Sequence, residues 1–148
     1  MNQSTLYKTS SAFYEDIHKH LLACDKSHNP KLSKKLNIAD YAKKLFEKSV
    51  TFEAWYENDL IGLISAYLDN EKQGFITNVS IVDEHLKKGI ANALMQRCIN
   101  DAKSKGILNL SLEVSTRNSP AINLYKKVGF ENHYQKTSSI IMRLNLKG

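Results

Sequence analysis

The stretch Val79-Ser80-Ile81-Val82-Asp83-Glu84-His85-Leu86-Lys87-Lys88-Gly89-Ile90-Ala91 ends a β-run, crosses a short turn and opens a helix. Two lysines and one glycine occupy the turn. A helix start presents unpaired amides and a partial positive charge, which suits a pyrophosphate. Gly89 carries no side chain where a phosphate would approach the backbone. Read by itself, the stretch fits an ordinary strand-to-helix turn with solvated lysines equally well. It is not a Walker loop, because no Gly-Lys-Ser/Thr occurs. Only one of the three glycines of a dinucleotide fingerprint is present.

Downstream stands Asn118-x-x-Ala121-x-x-x-Tyr125-x-x-x-Gly129-Phe130. Asn118 is a helix cap, Ala121 and Tyr125 share a helical face, and Gly129 is the stop. A capped amphipathic helix with a tyrosine in the core has the same pattern. The spacing gains meaning only beside the first stretch.

Around these two segments the period switches between helix and strand. Tyr14, Ile17, Leu21 and Cys24 predict one helix, which should stop before Asn29-Pro30. A basic linker, Lys31 to Lys35, leads to a second helix capped by Asn37, with an apolar stripe of Ile38, Tyr41, Ala42, Leu45 and Phe46. Strands are expected over Thr51 to Glu57, Leu60 to Leu68 and Phe75 to Val82, with a turn at Asn58-Asp59 and a loop from Asp69 to Gln73. A helix from Gly89 to Lys105 places Ile90, Leu94, Cys98 and Ala102 on one side. A strand over Ile107 to Ser115, a helix over Ser119 to Val128, and a last strand over Ser138 to Leu146 complete the order. Weaker strands are read near Leu6 and over Tyr134 to Lys136. An antiparallel meander feeding one β-α-β crossover implies an α+β fold with a mixed sheet.

The 148 residues suit a single domain, 1–148, and 42% apolar with 24% charged content describes a folded chain. No apolar run reaches the roughly 18 to 20 residues of a membrane span. The start, Met1 to Thr5, lacks a secretion pattern, so a cytoplasmic protein without a membrane partner is expected. Two cysteines are too few for a disulfide framework, and Cys98 is read as a small core residue. The net charge of +6 favours an anionic partner, which a phosphate-rich cofactor satisfies as well as nucleic acid does. Nothing beyond charge points to nucleic acid, and no such partner is expected.

Taken together, the two motifs resemble the cofactor-binding signature of the GCN5-related N-acetyltransferase (GNAT) superfamily, Gln/Arg-x-x-Gly-x-Gly/Ala followed by the Asn…Ala…Tyr…Gly-Phe helix. Here Leu86-x-x-Gly89-x-Ala91 departs at its first position, and the Asn118 to Phe130 helix matches throughout. The element order resembles that fold across nearly the whole chain. The resemblance implies a mostly antiparallel sheet with one splayed parallel pair, flanked by helices on both faces. It implies acetyl-CoA as co-substrate and no metal. The pantetheine arm would lie between Val79-Ser80-Ile81 and Leu108 to Val114, pairing like an added strand. The Ile81 amide would face the thioester oxygen. The amides of Lys87, Lys88, Gly89, Ile90 and Ala91 would hold the pyrophosphate, aided by the Lys87 and Lys88 side chains, with Lys126 a further candidate. Asn118 would contact the pantetheine arm.

The implied reaction is transfer of an acetyl group to a primary amine, of a small molecule or a peptide N-terminus, by direct attack. An alkylammonium of pKa about 10 must lose a proton first, and the departing thiolate benefits from a donor. The resemblance makes Tyr125 that donor; the other reading is a packed aromatic. Alternation of Leu108, Leu110, Leu112 and Val114 with Asn109, Ser111 and Glu113 puts Glu113 on a polar face. Leu112-Glu113-Val114 before Asn118 resembles a subset of protein N-terminal acetyltransferases that use this glutamate as base. An ordinary surface carboxylate that orients an ammonium or a water is the other reading. Acceptor walls in this fold would come from Phe13 to Phe46 and from Glu131 to Ser139. The departure at Leu86 is the single feature favouring a CoA-binding module without turnover. His20, Cys24 and His28 stand four apart, as zinc ligands do, but are read as a solvated face. Oligomeric state is open, a homodimer included.

Overall fold

The computed structural model describes residues 4–26, 31–34, 36–70 and 72–146. Within them the chain runs β1 (Leu6–Thr9), α1 (Tyr14–Asp25), α2 (Ile38–Lys48), β2 (Val50–Tyr56), β3 (Asp59–Tyr67), β4 (Gln73–Ile81), α3 (Ile90–Ser104), β5 (Asn109–Ser115), α4 (Ser119–Val128), β6 (Glu131–Gln135) and β7 (Ser139–Asn145). A single 3-10 turn, Asp83–His85, bridges β4 and α3. The seven strands form one sheet in the order β1-β2-β3-β4-β5-β7-β6. Only β4 and β5 pair in parallel, as a β-α-β crossover requires.

Two apolar clusters fix which face each helix covers. One joins α3 and the α4 residue Tyr125 to Phe52, Ile64, Ile76, Leu110, Leu112 and Met142 of the sheet. The other joins Ile17, Leu21, Ala42 and Leu45 of α1 and α2 to Leu60 and Leu63 of β3. β3 is thereby buried on both sides and reads as a near-continuous apolar run. No residue of β5, β6 or β7 belongs to the second cluster. Their face on the α1 and α2 side carries Ser111, Glu113, Arg143 and Glu131, with Ile141 among them.

Several boundaries differ from the sequence reading. β4 starts at Gln73, inside the expected loop, and β6 starts at Glu131 rather than Tyr134. Edge strand β6 is exposed throughout, so burial could not mark its start. Leu108 lies outside β5 and is 39% exposed, not core. Phe46 is 45% exposed, because the α2 stripe turns Ile38, Ala42 and Leu45 inward. His20 and Cys24 are buried, at 2% and 5% exposure, so the solvated-face reading fails for both. His28, Asn29, Pro30 and Lys35 lie outside the described residues.

Among charged side chains Glu53 is fully buried. Its Oε2 accepts hydrogen bonds from the Ser11 N–H (2.9 Å), the Ala12 N–H (3.0 Å) and the Thr51 hydroxyl (2.5 Å). Oε1 accepts from the Trp55 indole N–H (3.0 Å). The carboxylate thereby ties the segment entering α1 to β2. Four donors offset what burying a charge costs.

Candidate active site

The parallel ladder between β4 and β5 is short. It pairs Gln73 with Asn109, Gly74 with Leu110, Phe75 with Ser111 and Ile76 with Leu112, then stops. β4 continues to Ile81 on the β3 side alone. The cause is a β-bulge: Ser65 pairs Asn78 and Ala66 pairs Ile76, leaving Thr77 as the extra residue. A bulge bends its strand, and this one sits where β4 leaves β5. The Thr77 carbonyl finds a partner outside the sheet, the Tyr41 hydroxyl of α2 at 2.8 Å. The splay expected from the sequence is present.

The bulge also reverses side-chain parity. Ile76 faces the α3 side, and beyond Thr77 that face passes to Val79 and Ile81, which pack against the first cluster. Asn78 and Ser80 turn to the α1 side. The Val82 N–H bonds the Ile61 carbonyl of β3 at 2.9 Å. Backbone groups alternate along a strand, so the Val79 and Ile81 amides point the other way, into the gap. Ser80 is different. Its backbone faces β3 and its hydroxyl is held by Asn78 Nδ2 (2.8 Å) and His20 Nε2 (2.8 Å). Of the three residues expected to meet a cofactor, two face the gap and Ser80 braces it.

His20 itself is neutral at physiological pH. Burial lowers its pKa from 6.5 to about 4. Nδ1 lies 2.9 Å from the Leu60 carbonyl, so it carries the proton, and Nε2 accepts from Ser80. The unfolded ring takes up a proton below about 6.5 and the folded ring only near 4. Between those values the unfolded chain binds more protons, so stability falls as pH falls. The total is roughly 3 kcal/mol. Urea midpoints measured against pH should lose this slope in His20→Gln. A slope unchanged by the substitution would assign it elsewhere. Cys24 lies 3.5 Å from His20 Nε2, and burial pushes its thiol up to about 12, so it is no nucleophile.

The phosphate-binding candidate is formed by the turn and the start of α3. Gly89 is the N-cap at φ +79° and has no capping side chain. The first helical bond runs from the Ala93 N–H to the Gly89 carbonyl, so the Ile90, Ala91 and Asn92 amides have no partner within the helix. A Cβ at Gly89 would meet nothing within 4 Å, so the space beside the start of α3 is open there. Lys87 also adopts positive φ, at 63°, and the Lys88 ammonium lies 3.3 Å from His85 Nδ1. An uncapped helix start with two nearby lysines suits an anion. Leu86 is 50% exposed and contributes no polar atom from its side chain.

Tyr125 and Glu113 belong to opposite faces of the sheet. Tyr125 is packed against Phe130 (ring centroids 5.9 Å apart) and belongs to the cluster that includes Leu112 and Val114. Burial raises its pKa to about 12, so the phenol keeps its proton. Its hydroxyl has no hydrogen-bond partner among the described residues. Glu113 is the first β5 residue past the last parallel pair and projects to the α1 side. Its carboxylate accepts from the Ser139 hydroxyl (2.6 Å) and lies 3.5 Å from the Lys136 ammonium. Asn118 caps α4 through Oδ1, which accepts from the Ala121 N–H at 3.2 Å and leaves its amide nitrogen available.

Residues 14–130 match the profile of the Acetyltransferase (GNAT) family. The chain belongs to that family. This acetyltransferase-family chain is 32% identical over 84 residues to streptothricin acetyltransferase of Escherichia coli, covering 57% of this chain and 48% of that protein. It is 31% identical over 77 residues to the [ribosomal protein bS18]-alanine N-acetyltransferase of Escherichia coli K12, covering 45% and 52%. The chain thus spans about half the length of these curated relatives. Its fold superposes with TM-score 0.76 on the PaiA N-acetyltransferase of Thermoplasma acidophilum solved in complex with coenzyme A, at 19% identity, covering 96% and 99% of the two chains.

Sequence reasoning missed the bulge at Thr77, the Tyr41 cap on it and the His20–Ser80–Asn78 relay. A bulge has no side-chain signature, and the relay joins residues on α1 and β4. A cavity of about 290 Å³ is bounded by His20, Leu60 and Val82, on the β3 side of β4 rather than in the splay. No group of three metal-ligating side chains occurs among the described residues, nor a helix long and apolar enough to cross a membrane.

Proposed function

We propose that this family member transfers the acetyl group of acetyl-CoA to a primary amine by direct attack in a ternary complex. The observation that carries the reading is the β4–β5 ladder, which stops after Ile76 and Leu112 while β4 continues to Ile81. The Ile81 and Val79 backbone would pair with the pantetheine arm, and the Asn118 amide nitrogen would donate to it. The amides from Lys87 to Ala91, with the Lys87 and Lys88 ammonium groups, would hold the diphosphate. Ile81 N–H would donate to the thioester oxygen as it gains charge. Glu113 would hold the ammonium and accept its proton, and the freed amine would attack from the α1 side. Tyr125 would then protonate the thiolate released on the α4 side. A phenol pushed up to about 12 stays a donor through the ordinary tyrosine range near 10.

Thiol release should depend on both acetyl-CoA and an amine. Tyr125→Phe should lower kcat at least tenfold, about 1.4 kcal/mol, with little change in KM for acetyl-CoA. Full activity in that variant would reject the donor role and leave the family membership intact. For Glu113→Gln, loss of the acidic limb of the pH profile is expected; an unmoved limb rejects the base. Tight CoA binding without thiol release across a broad amine panel would instead mean a binding module.

A further inference from the structure

The β5–β7–β6 half of the sheet presents to the α1 side a face that no helix of the second cluster covers. Across this face Arg143 of β7 pairs with Ser111 of β5 and with Glu131 of β6, so all three side chains leave the sheet together. Glu113 and its partner Ile141 stand one pleat farther toward the splay, roughly 7 Å along the strand. Phe75 of β4, 37% exposed, pairs Ser111 from the other side and lines the same face.

On this face two sealed polar atoms have no hydrogen-bond partner among the described residues, Asn109 Oδ1 and Arg143 Nε, and only the second belongs to a charged group. No carboxylate lies within ion-pair distance of the Arg143 guanidinium among the described residues, its cross-strand neighbour Glu131 included; Lys136 is engaged with Glu113. A buried donor without an acceptor is uncommon in native proteins and calls for an explanation, which a bound anion would supply. A guanidinium presents a planar fork matched to two oxygens of one anion.

We propose that Arg143 binds an anionic oxygen group of the acceptor, a carboxylate or a phosphate, while Glu113 receives its ammonium. The acceptor is then an amine that also carries an anion, laid along β5 and β7 with the amine toward the gap. This assignment rests on the transferase reading above and narrows it to one substrate class.

The test uses matched amines differing only in the anion: 4-aminobutyrate against 4-aminobutanamide, and O-phosphoethanolamine against ethanolamine. Thiol release by the native chain should favour the charged member of at least one pair by tenfold or more in kcat/KM. The pair that responds identifies carboxylate or phosphate. Arg143→Gln should erase the preference by raising KM for the charged member at least tenfold, and Arg143→Lys should restore part of it. Equal use of both members by the native chain, or an equal loss for both in Arg143→Gln, overturns the proposal. A second readout does not need turnover. The Arg143 Nε–H resonance, followed by NMR with CoA present, should shift with the charged amines and not with the uncharged ones. A shift without any thiol release would sink the transferase reading while keeping the anion site; an unmoved resonance sinks the site.

Discussion

Gly89→Val is expected to raise the dissociation constant for CoA at least a hundredfold, about 2.7 kcal/mol. The substituted side chain would enter the open space beside the start of α3, close to where a diphosphate held by the Ile90, Ala91 and Asn92 amides would sit. It would also have to adopt φ +79°, a region that β-branched residues avoid. Strain alone could weaken binding, and Gly106 supplies the control. It adopts φ +77° at the other end of α3, and a Cβ there likewise meets nothing within 4 Å. Gly106→Val carries comparable strain far from the α3 N-terminus and should leave CoA binding within about twofold. Isothermal titration of both variants separates the two causes. Equal loss in both would mean that α3 is simply deformed, and the phosphate cradle would lose its main support.

The largest effect on stability is expected at Glu53. Glu53→Leu leaves four donors from Ser11, Ala12, Thr51 and Trp55 facing an apolar side chain. At about 1 to 3 kcal/mol for each unpaired buried group, partly relieved by local rearrangement, the expected loss is about 4 kcal/mol. That is a large share of the roughly 5 to 15 kcal/mol that holds a domain together. Glu53→Gln keeps an oxygen for the backbone amides but turns an N–H₂ toward the Trp55 indole. It should therefore cost about half as much, and less still in a Trp55→Phe background. Urea midpoints of the four variants measure this. A loss below about 1 kcal/mol for Glu53→Leu would show that the segment entering α1 is held by packing rather than by the carboxylate.

Local patterns carried most of the fold. α3 and α4 announce themselves by period, by Gly89 and Asn118 at their starts and by Gly129 at the end of α4, and all of these depend on neighbours within a few residues. β5 alternates as its residues predict, from Leu110 through Val114. β6 was harder to place, because an exposed edge strand has no buried face to impose a period of two. His20 was misread for a related reason: a polar residue on an amphipathic helix looks solvated until β4 supplies Ser80 as its partner.

Sequence by itself determined the element order, the open helix start at Gly89 and the motif around Tyr125, because each is written in residues close along the chain. Tertiary structure decided where β4 leaves β5, which amides face the gap, that Ser80 braces rather than lines it, and that Arg143 Nε has no hydrogen-bond partner among the described residues. Those features depend on an extra residue at Thr77 and on pairings between strands distant in sequence. Strand register is a property of two segments at once, and neither segment records it alone.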